Sequence, residues 1–89
     1  MSEFTEDQAV GIVRDYFRKV DVAAVEVTKG GFKVGDTLRF KGHTTDFAQK
    51  IESMQVDHQE VVEVGPGDLV GIKVSDRVRD NDLVFLEDA

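Results

Sequence analysis

The chain has 89 residues, 40% apolar and 33% charged, with 18 acidic against 11 basic side chains and a formal net charge of −7. That length supports one small domain with a modest core and excludes the larger catalytic folds. The acidic balance argues against long duplex nucleic acid and anionic membrane surfaces, both of which are held through Lys and Arg.

There is no cysteine, so disulfide, thiol and thiolate–metal chemistry are excluded for these residues, and a reducing, cytoplasmic setting fits. The first seven residues show neither a basic nor an apolar targeting segment, and no apolar run approaches a bilayer span. Residues 1–8 are expected to form a flexible N-terminus, although Thr5 and Gln8 have capping-box spacing. Residues 9–89 are expected to form a single β-barrel domain.

Val occurs 15 times, and Val, Ile and Thr total 23 against 11 for Leu, Ala and Met. Branched side chains favour a pleated, half-buried surface. Strands are predicted at 9–18, 22–28, 36–41, 44–57, 60–64, 69–75 and 82–86. Lys29-Gly30-Gly31 reads as the turn of a hairpin between 22–28 and the next strand. The apolar phase of 44–57 changes between Phe47/Ile51 and Met54/Val56, which predicts a bulge near Glu52 and Ser53. Gly35, Gly67 and Asn81 each precede an apolar run and tolerate the positive φ of a strand-entry turn. Many short strands with no convincing helix imply an all-β fold, a small closed six- to seven-stranded Greek-key barrel. Gly71 is expected to pack against backbone inside that barrel. Most Phe side chains are expected to fill its core, with Phe4 and one of Tyr16 and Phe17 exposed.

Residues 1–44 carry 7 basic and 7 acidic side chains, whereas 45–89 carry 4 and 11. Arg39, Lys41, His43 and Lys50 are the one local basic concentration, read either as a solvated sheet face or as an anion or RNA contact. His43, Asp46, Asp57 and His58 are the residue types of a divalent-metal or acid–base site. Their positions at strand ends and their lack of helical spacing favour a structural role, so no catalytic residue, metal or cofactor is assigned. Gly65-Pro66-Gly67-Asp68 lacks the Lys-Ser/Thr of a phosphate loop and reads as a turn.

Lys33-Val34-Gly35-Asp36-Thr37-Leu38-Arg39-Phe40, the run from Lys50 to His58, and Pro66-Gly67-Asp68-Leu69-Val70-Gly71-Ile72 together resemble the second, β-barrel domain of translational GTPases such as elongation factor Tu. Lys41-Gly42-His43-Thr44-Thr45-Asp46-Phe47 is similar to a stretch of small stand-alone translation-elongation-factor-like proteins. A similar barrel forms the C-terminal domain of a collagenase-like peptidase family, some of whose members hydroxylate RNA. The resemblance implies a non-enzymatic docking module without a GTPase domain, with the ribosome, tRNA or a partner protein as its partner. It also implies a binding role for Gln55, at a position where translation factors carry an acidic residue near the terminal adenine of tRNA. The alternative is an accessory subunit of a larger enzyme of the collagenase-like peptidase or RNA hydroxylase type, supplying its barrel in trans. The sequence leaves the oligomeric state open.

Overall fold

In the computed structural model, which describes residues 6–87, a single 3₁₀ turn at Glu6–Gln8 precedes ten strands. These are β1 (Gly11–Phe17), β2 (Val22–Val27), β3 (Phe32–Lys33), β4 (Thr37–Lys41), β5 (Asp46–Lys50), β6 (Met54–Val56), β7 (Gln59–Val61), β8 (Glu63–Val64), β9 (Leu69–Lys73) and β10 (Leu83–Glu87). The expected flexible segment 1–8 lies outside the described residues as far as residue 5. Phe4 lies outside them as well.

Eight strands form one antiparallel sheet in the order β5-β4-β10-β1-β2-β9-β6-β7, and β3 pairs with β8 in a separate ladder. Period-2 alternation sets the inner face: Ala23, Val25 and Val27 on β2, Leu38 and Phe40 on β4, and Val70 and Ile72 on β9 are all buried. The sheet curls so that these residues, with Val13, Ile51, Met54, Val78 and Val84, join one apolar cluster.

The all-β expectation holds, but the closed six- to seven-stranded barrel is corrected to a curled sheet with two ends. The segment 44–57 is not one bulged strand. It breaks at Ile51–Ser53, so β5 pairs with β4 at one end of the sheet while β6 pairs with β9 and β7 near the other. Ile51 is 1% exposed, and its backbone leaves both strands to exchange hydrogen bonds with Gly35 and Asp36. The change of phase is therefore a strand break, and the bulge lies instead in β1, between Val13 and Asp15. The segment 60–64 likewise divides, and Lys29-Gly30-Gly31 turns the chain without closing a hairpin, because β2 pairs with β1 and β9. The strand-entry turns are as read: Gly35, Gly67 and Asn81 have φ of 100°, 95° and 72°.

The β5 end of the sheet is tied back by a side chain. Gln49 Nε2 donates to the Lys73 carbonyl oxygen at 2.7 Å, and Gln49 Oε1 accepts from the Ser75 N–H at 2.6 Å. Its carboxamide thus acts as a surrogate peptide group for the end of β9, where no backbone ladder forms. Gln49→Ala is expected to cost about 1 kcal/mol, and Gln49→Glu a similar amount, because a carboxylate still accepts from Ser75 but cannot donate to Lys73. Urea denaturation at neutral pH measures both. The β6–β7 hairpin turns on Asp57 and His58, with φ of 52° and 64°, a two-residue loop that favours glycine at its second position. His58→Gly is expected to raise stability by about 0.5–1 kcal/mol in the same assay by relieving left-handed backbone.

Candidate functional site

The structure places the residues suggested by the sequence on two separate regions. Thr37 faces Lys50 and Arg39 faces Ala48 across β4 and β5, so Arg39, Lys41 and Lys50 share the outer face of that hairpin. His43 lies exposed in the turn beyond β4. Gln55 stands on β6, at the opposite end of the sheet order.

Arg39 sits diagonally opposite carboxylates on both neighbouring strands, within reach of a long side chain. Its Nε lies 2.6 Å from Glu87 Oε2 on β10, and its Nη1 lies 2.6 Å from Asp46 Oδ1 on β5. Lys41 Nζ reaches Asp46 Oδ2 at 3.4 Å. Arg39 and Lys41 thus join Glu87 and Asp46 in one network that links β10, β4 and β5. The Arg39 hydrogen bond, supported by Lys41, holds the Asp46 carboxyl below the usual range, while hydrogen bonds to Glu87 and Asp46 raise Arg39. Among the described residues, no three or more His, Asp or Glu side chains converge where they could hold a metal, and His43 and Asp46 stand on a different hairpin from Asp57 and His58.

Gln55 belongs to a groove on the outer face of β2, β9 and β6. Phe17, Val20, Val22, Ala24, Gln55, Asp57, His58, Leu69, Val70 and Gly71 line a volume of about 540 Å³. Cross-strand register explains the grouping, because Ala24 faces Gly71 and Gly71 faces Gln55 on the outward parity of three adjacent strands. Phe17, Val20 and Leu69 are 49%, 54% and 55% exposed, large apolar side chains gathered around one depression. Gln55, Asp57 and His58 form its polar rim.

Gly71 lies at the floor of this groove, and the expectation that it packs against backbone is overturned. A Cβ there would meet Val22 Cγ1 at 3.4 Å and Gln55 O at 3.8 Å, ordinary contacts, and the residue has no left-handed φ. A strand interior loses about 0.5–1 kcal/mol by using glycine in place of alanine. The neighbours of Gly71 leave room for a side-chain carbon, so its glycine is not explained by crowding among the described residues. Gln55, named from the sequence for a tRNA-end role, lines this groove, and the exposure expected for one of Tyr16 and Phe17 falls on Phe17. Sequence reasoning missed Val20, Leu69 and the meaning of Gly71, because only cross-strand register brings them together.

The Asp46 network gives a pH prediction. With its carboxyl depressed in the folded state, Asp46 stabilises the fold above its unfolded pKa and loses that contribution as pH falls through the lower folded value. Asp46→Asn is expected to lower the urea midpoint at neutral pH and to converge on the parent as pH falls through the folded-state value of Asp46.

The comparisons with known proteins bear on lineage. The family described as Peptidase family U32 C-terminal domain matches residues 5–84. An uncharacterized protease of Methanocaldococcus jannaschii is 36% identical over 78 residues, covering 86% of this chain and 19% of that protein. A collagenase of Porphyromonas gingivalis is 31% identical over 71 residues, covering 79% of this chain and 20% of the collagenase. The chain therefore spans about a fifth of the length of these relatives. The crystal structure of the C-terminal domain of a Geobacillus thermoleovorans U32 peptidase superimposes with a TM-score of 0.86 at 24% identity, covering 98% of this chain and 100% of that one. These matches overturn the translation-elongation-factor-like reading. The turns and strand entries that carried it, such as Gly67-Asp68-Leu69-Val70, answer a requirement of β-chain reversal and carry no lineage of their own. Among the described residues, no helix is long and apolar enough to cross a membrane.

Proposed function

Because the chain belongs to the peptidase family U32 C-terminal domain family, we propose that it serves as the accessory β-domain of a U32-type protease, holding the larger catalytic part through the outer groove of β2, β9 and β6. In the relatives, the matching region makes up about a fifth of a longer chain, so the larger part has a counterpart for this face to meet. The observation that carries the reading is Gly71, a glycine that crowding does not explain, at the floor of a depression rimmed by exposed Phe17, Val20 and Leu69. Burying a large apolar side chain contributes about 1.5–3 kcal/mol, so three such anchors suit an interface better than open water. Gln55 and His58 add hydrogen-bonding groups at the rim, which fix orientation more than they add affinity.

The test mixes this chain with the catalytic part of a U32-type protease whose own C-terminal domain has been removed. Size-exclusion chromatography should show a complex that Phe17→Glu with Leu69→Glu abolishes at an unchanged melting temperature. Gly71→Ala should leave stability equal or raised by about 0.5–1 kcal/mol while weakening the complex. A complex that survives the double substitution refutes the groove as the docking face.

A further inference from the structure

We propose that the cleft between the β1–β2 turn and the β9–β10 loop, lined by Tyr16, Arg18, Arg77 and Arg79, binds a phosphate monoester. The cleft has a volume of about 670 Å³ and also carries Asp15 and Asp80 on its wall.

In a chain with 18 acidic residues, the other two arginines have ion-pair partners, Arg14 with Glu26 and Arg39 with Glu87 and Asp46. The side chains of Arg18, Arg77 and Arg79 make no hydrogen bond or ion pair with another described residue. Of the carboxylates nearby in sequence, Asp15, Asp21, Asp76 and Asp82 accept hydrogen bonds from other groups, while Asp80 stays on the cleft wall. Asp76 Oδ1 accepts from the Arg77 backbone N–H and Asp82 Oδ2 from the Arg79 backbone N–H, each at 2.8 Å. Asp15 Oδ1 accepts from the Tyr16 N–H at 2.8 Å, and Asp21 Oδ1 takes the Tyr16 hydroxyl at 3.2 Å. Loop geometry thus engages these four acids, three of them with backbone N–H groups, and leaves the three arginines that line the cleft without an ion pair among the described residues. Val78, 1% exposed, pins the loop between the two arginines to the core.

The Tyr16 phenol records the same convergence. Partial burial, then the Asp21 hydrogen bond and charge, push it above its ordinary value, while the charges of Arg77 and Arg18 act in the opposite direction. Both guanidinium groups therefore lie within the electrostatic reach of one phenol oxygen. Three guanidinium groups present more donors than the two oxygens of a carboxylate can accept, whereas the three terminal oxygens and two charges of a phosphate monoester match them. The ester is either a small phosphorylated metabolite or a phosphorylated protein side chain. This site stands independently of the docking groove and survives a failure of that reading.

The test titrates the intact chain, followed by amide proton–nitrogen NMR, with inorganic phosphate, glycerol 3-phosphate and a short phosphoserine peptide at constant ionic strength. Saturable shifts centred on residues 16–18 and 77–80 are expected. Arg77→Ala with Arg79→Ala should weaken binding at least about 10-fold, and an unchanged melting temperature would show that the fold is intact. Tighter binding of the peptide than of glycerol 3-phosphate identifies the protein-borne ester, and equal or weaker binding identifies the small one. Linear, unsaturable shifts, equal shifts with acetate or chloride, or saturation that survives the double substitution overturn the site.

Discussion

The pairing of the first long strand with the last, Gly11 opposite Val84 and Ile12 opposite Leu83, joins two groups of strands that share no other ladder within the main sheet. On one side stand β5, β4 and β10, and on the other β1, β2, β9, β6 and β7. Backbone hydrogen bonds from Val10 to Val84, Val13 to Asp82 and Asn81 to Val13 extend the seam, at 2.8 Å each. Gly11 lies within it because a Cβ would come within 2.9 Å of both Glu26 O and Val25 Cγ1. The buried cluster draws Leu38, Phe40 and Val84 from one side and Val13, Val25, Val70 and Ile72 from the other. Closing the seam and burying the core are therefore coupled, at the entropic cost of bringing together segments from near the two ends of the chain.

An eight-stranded sheet with two ends faces the edge problem that full closure would remove. The solution here is piecemeal. The Gln49 carboxamide stands in for a peptide group at the β5 end, and the β3–β8 ladder forms a separate short sheet. Phe40 and Phe47 stack at 5.1 Å between centroids across β4 and β5, which anchors the end hairpin to the core that Gln49 then ties back.

The β1–β2 turn serves two outer surfaces at once. Tyr16 and Arg18 line the arginine cleft, while Phe17 and Val20 line the apolar groove. Residues 45–89 carry the whole net charge of −7, yet Arg77 and Arg79 from that half lie without an ion pair among the described residues. Net charge describes solubility and bulk attraction, whereas a site is made by local partnering. In the Arg39 network the cation meets carboxylates on both neighbouring strands, whereas the arginines of the cleft have no ion pair among the described residues.

Composition and period-2 alternation determined the fold class, because a Val-rich chain with glycine and asparagine at strand entries has few other ways to bury its apolar side chains. The turns at Gly35, Gly67 and Asn81 were equally legible, since positive φ is a demand on single residues. Non-local pairing decided the rest. Whether the phase change between Phe47 and Met54 is a bulge or a break depends on which distant strands β5 and β6 find, and no local pattern carries that choice. The same holds for the candidate sites. Gly71 reads as a packing glycine until register sets it beside Gln55 and Ala24, and Arg18 comes to share a cleft with Arg77 through the pairing of β2 with β9 and of β1 with β10. Local chemistry thus determined the elements, while hydrogen bonds between strands far apart in sequence decided the surfaces.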